Sequence, residues 1–192
     1  MRQRVDKGHT LLRRQSGRES DHSIFDASPQ GRVACPGLRE RGFNAIEIDA
    51  VLSLNPTRLD DTVARLDAVR EFASLPEAAS LAAANKRISN ILKKSAEGVP
   101  SSVQPALLQE AAEKALYAQL EQVAPRVQTQ LVERNYTEAL SALSALRDAV
   151  DTFFNDVMVN AEDPALRNNR LALLGALHQQ MNCVADISKL AA

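Results

Sequence analysis

The chain has 192 residues, and 45% of them are apolar, which is enough for a real core and excludes a chain that is disordered throughout. Basic and acidic residues nearly balance at 23 and 24, so the net charge of −1 gives no overall attraction to nucleic acid, and any RNA contact requires a local patch. No apolar run approaches the roughly 20 residues that cross a bilayer, and the N-terminus lacks the apolar segment of a secretory signal, so we expect no membrane contact and a cytoplasmic protein.

The two cysteines, Cys35 and Cys183, lie far apart in the sequence, one in an irregular segment and the other in the last predicted helix. Their spacing supports no metal site. Because the cytosol is the default compartment for such a chain, we expect no disulfide between them.

The first 38 residues differ in composition from the rest. Residues 1–38 hold seven Lys/Arg and four Asp/Glu, a net charge of +3, whereas the remaining residues carry 16 basic and 20 acidic side chains, a net charge of −4. The segment contains the turn-rich stretch "SPQGRVACPG" and shows little apolar periodicity. We expect an irregular or disordered arm, and the alternative is a basic arm that touches RNA.

The first helices after the arm have recognisable start signals. Asn44 followed by Glu47 at the third helical position predicts a capping box. Asn55 and Pro56 predict the N-cap and first turn of the next helix. Pro76 is predicted to start the helix after that.

The middle of the chain is interrupted by a loop and a proline. The segment "EGVPSSVQP" (97–105) holds a glycine and two prolines and predicts a loop, after which a long helix begins near Ala106. Pro125 should bend or break this helix because proline lacks a backbone donor and clashes with the preceding turn. Asn135 and Glu138 predict a second capping box.

Apolar residues then repeat at spacings of three and four, which is the period of a helix with one buried face. The predicted buried stripes are Leu59, Val63, Leu66, Val69 and Phe72 or Ala73; Leu81, Ala84, Ile88 and Ile91; and Leu140, Leu143, Leu146, Val150, Phe153 and Val157. We find no strong strand pattern and no Gly-rich phosphate loop. The sequence therefore predicts an all-α fold, an antiparallel bundle of about seven helices with an irregular N-terminal arm.

The sequence offers few candidates for catalysis. The histidines are scattered, and none is paired at the spacing of metal ligands: His9, His22 and His178. Carboxylates adjacent in sequence stand at predicted helix starts, where the helix dipole favours negative charge for stability alone: Asp60 with Asp61, and Glu162 with Asp163. We therefore predict no catalytic and no metal-binding residue in this chain.

The segment "NKRISNILKK" predicts a cationic strip on one helix face. On a helical wheel Lys86, Asn90 and Lys93 share one line, and Arg87, Asn90 and Lys94 share the next. Four positive charges over nine residues, with no acid among them, suit RNA phosphates. The alternative is a solvated face whose last two lysines stabilise the helix C-terminus.

The stretch "AEDPALRNNRLALL" starts the last helix, with Asp163 as N-cap and Pro164 in the first turn. Arg170 falls within its apolar stripe, and a buried arginine needs a partner, so we predict an ion pair with Asp156, with Asp151, Glu162 or nearby carbonyl groups as alternatives. Arg167 has more freedom, and we expect either RNA contact or fastening of the chain.

Three stretches carry a resemblance to a known family: "RGFNAIEIDAVLSLNPTRLDD", "ANKRISNILKK" and "FFNDVMVNAEDPALRNNRLALLGALHQQMNCVADISKL". They closely resemble the C-terminal part of the bacterial glycyl-tRNA synthetase β subunit, in the family's order, over about Leu38 to Leu190. The stretch "DPALRNNRL" stands where the anticodon-binding helical domain, shared with arginyl-tRNA synthetase, has an Asp-Ala-Leu-Arg pattern.

The resemblance implies a subunit of an α2β2 ligase that joins glycine to its tRNA using ATP with Mg, while the α subunit carries the catalytic site. It implies tRNA for glycine as the partner. Together with the charge pattern, this leads us to predict Lys86, Arg87, Asn90, Lys93, Lys94 and Arg167 as the tRNA-binding residues. No cofactor is expected in this chain itself. Bases often stack on aromatic side chains, and Tyr136 at a helix start is the one candidate for that role, although packing is the commoner role there.

The chain departs from the family by lacking the domains that precede this region, and we expect a truncated product whose family-like sequence begins near Leu38. Residues 39–134 are predicted as a helical tail region and residues 135–192 as an anticodon-binding-type hairpin that packs on it. The alternatives to a tRNA-binding fragment are a helical protein-interaction module and an inactive remnant.

Overall fold

The computed structural model describes residues 36–95 and 98–191. Within these ranges the chain forms eight α-helices, two short 3-10 turns and no strand, so the prediction of an all-α fold is confirmed. The helices are α1 (Pro36–Glu40), α2 (Ala45–Leu52), α3 (Leu59–Ala73), α4 (Ala78–Lys94), α5 (Ala111–Val132), α6 (Tyr136–Ser144), α7 (Arg147–Asp156) and α8 (Pro164–Met181), and the 3-10 turns are Pro105–Leu107 and Ile187–Leu190.

The helices enclose one continuous apolar core. The helix α4 packs against α3, α7, α8 and the 187–190 turn, while α5 packs against α6, α7 and α8. The largest fully buried side chains come from α3 to α8 and the α6–α7 junction: Leu66, Phe72, Leu81, Ile88, Leu116, Leu140, Leu143, Leu146, Phe153, Leu173, Leu174 and Leu177. Burial of such side chains stabilises the fold by roughly 1.5–3 kcal/mol each before conformational entropy is counted. The division of the helical part at 134/135 stays a prediction.

The predicted N-terminal arm lies almost wholly outside the described residues, and so do Cys35 and any bond that it makes. Only residues 36–38 of the arm are described, and they form the start of α1. Proline suits the first turn of a helix because its φ is preset and its missing N–H would have no partner there. Leu38 and Phe43 are buried, so this segment joins the core.

Two predicted helix starts are confirmed. Asn44 accepts a hydrogen bond from the Glu47 backbone N–H at 2.8 Å, and the Glu47 carboxylate accepts one from the Asn44 N–H at 2.9 Å, completing the capping box of α2. Asp163 caps α8 by accepting from the Ala165 N–H at 2.8 Å, with Pro164 as the first helical residue. These caps satisfy backbone donors that have no partner within the helix.

The predicted role of Asn55 as an N-cap is wrong. Asn55 has φ +50° and its N–H donates to the Leu52 carbonyl at 3.0 Å, so it closes the turn after α2 instead of opening α3. Asparagine tolerates this left-handed conformation better than most residues. The helix α3 then starts at Leu59, three residues later than Pro56.

The helix α5 also starts later than predicted, at Ala111, because the backbone first forms the Pro105–Leu107 turn. It continues through Pro125 without a break. Pro125 and Glu121, whose carbonyl loses its donor, are both exposed, so water can satisfy that carbonyl.

The helix predicted over the next segment is divided into α6 and α7 by a turn at residues 145–146. The Leu146 N–H donates to the Leu143 carbonyl at 3.0 Å, a bond of the tighter 3-10 type, and both side chains remain buried. The second predicted capping box does not form, because the Asn135 side chain bonds Glu133 and makes no cap hydrogen bond.

None of the helices that the structure describes is long and apolar enough to cross a membrane.

Candidate nucleic-acid interface

The helix α4 has two faces of opposite character. Its apolar residues recur at helical spacing and place one side against α3, α7 and α8. The buried residues are Ala78, Leu81, Ala82, Ala84, Asn85 and Ile88. The opposite side carries the predicted cationic strip, and all five of its residues are exposed: Lys86, Arg87, Asn90, Lys93 and Lys94.

Polar contacts hold α4 against α8. The buried Asn85 side chain donates to Asn182 at 2.8 Å and accepts from it at 3.3 Å. One turn away, Ser89 Oγ lies 2.8 Å from His178 Nε2. Burial lowers the pKa of His178, with Asp186 opposing and Lys93 adding to this shift, so the ring is neutral at pH 7. These bonds fix the rotation of α4 and keep the cationic strip on the outside.

The positive charges of the cationic strip are not neutralised by the described part of the chain. None of the salt bridges formed among the described residues involves Lys86, Arg87, Lys93 or Lys94. Lys86 Nζ lies 3.5 Å from the Ala191 carbonyl, at the limit of a hydrogen bond. An exposed cluster of like charges held on one helix face provides a positive potential for an anionic partner.

Arg87 differs from the lysines of the strip because its guanidinium is stacked. Its central carbon lies 4.2 Å from the centroid of the Phe154 ring on α7. The Phe154 ring in turn meets Phe153 edge-to-face, with 5.6 Å between centroids, and Phe153 is fully buried. This aromatic pair limits the orientations of the Arg87 side chain.

Arg87 and Phe154 border a groove between α4 and α7 with a volume of about 390 Å³. The groove is lined by Ser80, Ala83, Ala84, Arg87, Asp151, Phe154 and Asn155. Asp151 accepts from the Ser80 hydroxyl at 3.0 and 3.2 Å. The three α7 residues of this groove were not predicted as binding residues from the sequence, where Asp151 was only an alternative partner of Arg170. Their i, i+3, i+4 spacing beside the predicted buried stripe is the signal for such a site.

Arg167 and Arg170 both bond the connection between α7 and α8. Arg167 is half-buried and donates from Nη1 to the Ala161 carbonyl at 3.2 Å. Arg170 is buried and donates from Nη1 to the Met158 carbonyl at 2.7 Å. Together they tie the start of α8 to the segment 157–163.

The predicted ion pair between Arg170 and Asp156 is wrong. Arg170 Nε instead bonds Glu113 Oε1 on α5 at 2.5 Å, and both side chains are buried. Asp156 is exposed at the end of α7. The true partner is 57 positions away in sequence, so only the packing of α5 on α8 brings it to Arg170.

Glu113 also caps its own helix. Its Oε2 accepts from the backbone N–H groups of Gln109 and Glu110, each at 2.8 Å. Burial would raise the pKa of Glu113, but the hydrogen bonds from Arg170 and the two N–H groups outweigh burial and hold it below its ordinary value. We call Arg170, Glu113 and the Met158 carbonyl the buried knot. It joins α5, α8 and the α7–α8 connection.

Tyr136 packs inside the fold and is not placed to stack on a base. Its side chain is 5% exposed, its hydroxyl donates to Asp61, and the guanidinium of Arg65 lies 4.5 Å above its ring centroid. Arg65 also bonds Asp61 at 2.8 Å and the Val184 carbonyl at 2.9 Å. Tyr136 thus belongs to a network that joins α3, α6 and the C-terminal segment.

Among the described residues, no three His, Cys, Asp or Glu side chains converge as a metal site. Burial raises the pKa of Cys183 to about 11, so its thiol is protonated at neutral pH and is a poor nucleophile.

Comparison with known proteins places the same part of the chain in a described family. The family model of the DALR anticodon binding domain matches residues 81–187, from the first turn of α4 to the end of the core. This range includes the cationic strip, the groove and the buried knot.

Curated relatives are similar over most of the chain. The glycine–tRNA ligase beta subunit of Delftia acidovorans is 56% identical over 175 residues, covering 88% of this chain and 25% of the relative. Those of Methylobacillus flagellatus and of a Janthinobacterium strain are 59% and 61% identical over 155 residues, 81% of this chain and 22% of each relative. The chain thus spans about a quarter of the length of these relatives.

Proposed function

Because this chain belongs to the DALR anticodon binding domain family, we propose that it binds a transfer RNA through the cationic strip of α4. Lys86, Lys93 and Lys94 bond backbone phosphates, and Asn90 between them adds a neutral donor. Arg167 at the start of α8 is a further contact. The expected RNA is the tRNA for glycine, as the names of the relatives indicate for those proteins.

The observation that carries this proposal is the unbalanced charge of α4. Four exposed cations lie on one face, no described acid pairs with any of them, and the other face is fixed in the core. Each cation that neutralises a phosphate releases a condensed counterion, which favours binding at low salt. A face held rigid by the core loses little conformational entropy when it binds.

We further propose that the tRNA-binding step serves ATP-dependent ligation of glycine to its tRNA, in a complex with an α subunit of an α2β2 tetramer. The described residues provide no convergent metal ligands for Mg and ATP. In such a complex we assign catalysis to the α subunit, and this chain contributes affinity and orientation. A cytoplasmic location goes with this partner.

The test compares two double variants with equal changes in net charge. Lys93→Glu/Lys94→Glu reverses two charges of the strip, and Lys114→Glu/Arg126→Glu reverses two exposed charges on α5. We expect the strip variant to lower tRNA affinity at least about 10-fold at low salt, and to reduce the slope of log affinity against log salt by about 1.5–2.

The α5 variant should keep the slope of the parent chain, because its charges lie on another helix. Circular dichroism melting of both variants checks that they remain folded. Equal losses of tRNA affinity in the two variants would show that only the net charge of the chain matters. They would overturn the proposal that the cationic strip is the tRNA-binding surface. Binding that hardly responds to salt would favour the alternative of a protein-interaction module instead.

A further inference from the structure

The groove between α4 and α7 joins the cationic strip through Arg87, which belongs to both. The groove volume of about 390 Å³ falls within the roughly 300–1,000 Å³ of small-ligand pockets. Ala83 and Ala84 leave space between the helices because their side chains are small. A backbone held along the strip would therefore pass beside a recess large enough for one base.

One wall of the groove is a stacking platform. The central carbon of the Arg87 guanidinium lies over the Phe154 ring, 4.2 Å from its centroid, and Arg87 is exposed. Unstacked RNA bases stack on aromatic rings and on guanidinium planes. Because the guanidinium already lies over the Phe154 ring, which Phe153 supports edge-to-face, the platform loses little freedom when a base is added.

Beside this platform, α7 carries hydrogen-bonding groups that have remaining capacity. Asp151 accepts from Ser80 and lies 3.6 Å from Arg147 Nε, but a carboxylate has about four acceptor sites. Asn155 is exposed and makes no side-chain hydrogen bond within the described ranges. A carboxylate beside a carboxamide provides acceptors together with an amide N–H donor.

We propose that this groove holds one unstacked base of the bound RNA, and that it selects a base with an exocyclic amino group. The base stacks on Arg87, its amino group donates to Asp151, and Asn155 bonds the neighbouring acceptor of the same edge. An amino group suits the carboxylate because Asp151 has only acceptors to offer, whereas a carbonyl at the same position is repelled. The proposal rests on the proposed tRNA binding and adds the residues that read a base.

The first test separates stacking from charge. Arg87→Lys keeps the positive charge but loses the planar guanidinium, and Arg126→Lys on α5 makes the same exchange away from the groove. We expect Arg87→Lys to weaken tRNA binding about 5- to 100-fold with an unchanged salt slope, because stacking of one base is lost. Arg126→Lys should match the parent chain.

Phe154→Leu provides a second variant that removes the ring under Arg87 and retains apolar volume. It should reproduce the loss seen with Arg87→Lys, and a melting curve checks its fold. Affinity equal to the parent in both groove variants would overturn the base site while leaving tRNA binding by the strip intact.

The second test uses cytidine and uridine hexanucleotides as competitors of labelled tRNA on the full chain. These bases stack similarly but present reversed patterns on one edge: cytidine has an amino donor beside a ring-nitrogen acceptor, and uridine has a carbonyl acceptor beside a ring N–H donor. We expect the cytidine oligomer to compete several-fold better with the parent chain. Asp151→Asn should abolish that difference, because an amide can donate to the uridine carbonyl.

Equal competition by the two oligomers with the parent chain would overturn the selection for an amino group. A cytidine preference that persists in Asp151→Asn would assign the selection to another residue and overturn the role of Asp151. If the parent chain binds no tRNA at all, the proposed function fails first and the groove proposal fails with it. If the strip variant loses tRNA binding while the groove variants bind tRNA normally, only the proposal of a base site in the groove is overturned.

Discussion

Arg87 and Arg170 lie on helices that pack against each other, yet they occupy opposite settings. Arg87 is exposed on α4, is stacked on one aromatic ring, and forms no salt bridge within the described ranges. Arg170 is 6% exposed, bonds the buried Glu113 at 2.5 Å, and donates to the Met158 carbonyl. The same side chain can therefore hold the fold together or face a partner.

Position relative to the apolar stripe decides between these settings. Arg170 falls within the stripe of α8, so its charge leaves water on folding and must be compensated inside the core. Arg87 falls outside the stripe of α4, so its charge stays hydrated until a partner arrives. We expect changes in the buried knot to act on stability and changes in the cationic strip to act on affinity.

The largest effect should come from Arg170→Met, which roughly keeps the side-chain length and removes the charge. It leaves Glu113 as a buried, unpaired carboxylate, so we expect a loss of about 3–5 kcal/mol in the free energy of unfolding. Urea denaturation followed by circular dichroism at pH 7 measures it. Any loss of tRNA affinity should be small under conditions where the variant is folded.

A double variant controls for the unpaired charge. Glu113→Gln in the Arg170→Met background removes the charge but keeps a side-chain acceptor for the N–H groups of Gln109 and Glu110. It should recover part of the lost stability. If Arg170→Met is as stable as the parent chain but no longer binds tRNA, the structural role of Arg170 is refuted and Arg170 belongs to the RNA contact.

The second-largest effect should be the pH dependence of the stability difference between the parent chain and Arg170→Met. The folded-state pKa of Glu113 lies below its ordinary value of 4.5, so its contribution is present above about pH 4.5 and is lost as pH falls through the folded pKa. In Arg170→Met, burial acts on Glu113 without its cation, and protonation then relieves the buried charge.

The stability gap between the parent and Arg170→Met should therefore narrow as pH falls from 7 toward 4, by at most about 1.4 kcal/mol per pH unit for one group. Other acids with lowered pKa, Asp60 and Asp61, titrate in both proteins and largely cancel in the difference. Urea titrations at several pH values measure the gap, and a gap that is constant with pH would contradict a charged Glu113 as the cause.

The sequence predicted features whose cause lies within one helix. The caps at Asn44 and Asp163 follow from side chains within three residues of the helix start, and the all-α fold follows from apolar periodicity. The same periodicity placed the strip of α4 opposite its buried face. These features need no knowledge of how the helices pack.

The features that the sequence did not predict depend on contacts between residues far apart in the chain or on unusual backbone conformations. Glu113 reaches Arg170 only after α5 has packed on α8, so the sequence favoured an acid that is nearby in the chain, the exposed Asp156. The groove depends equally on the approach of α7 to α4. Asn55 was misassigned because the Asn-Pro pattern fits an N-cap as well as a left-handed turn residue.

The smallest effect is expected for Arg167→Gln. The environment of Arg167 is intermediate between the exposed Arg87 and the buried Arg170. Arg167 is half-buried and donates to the Ala161 carbonyl at 3.2 Å without a carboxylate partner in the described part of the chain. Glutamine can still donate to that carbonyl, so the free energy of unfolding should fall by less than about 1 kcal/mol. If Arg167 touches a phosphate, the salt slope of tRNA binding should fall by about 1. An unchanged slope would remove Arg167 from the RNA contact and place it with Arg170 among the residues that hold the α7–α8 connection.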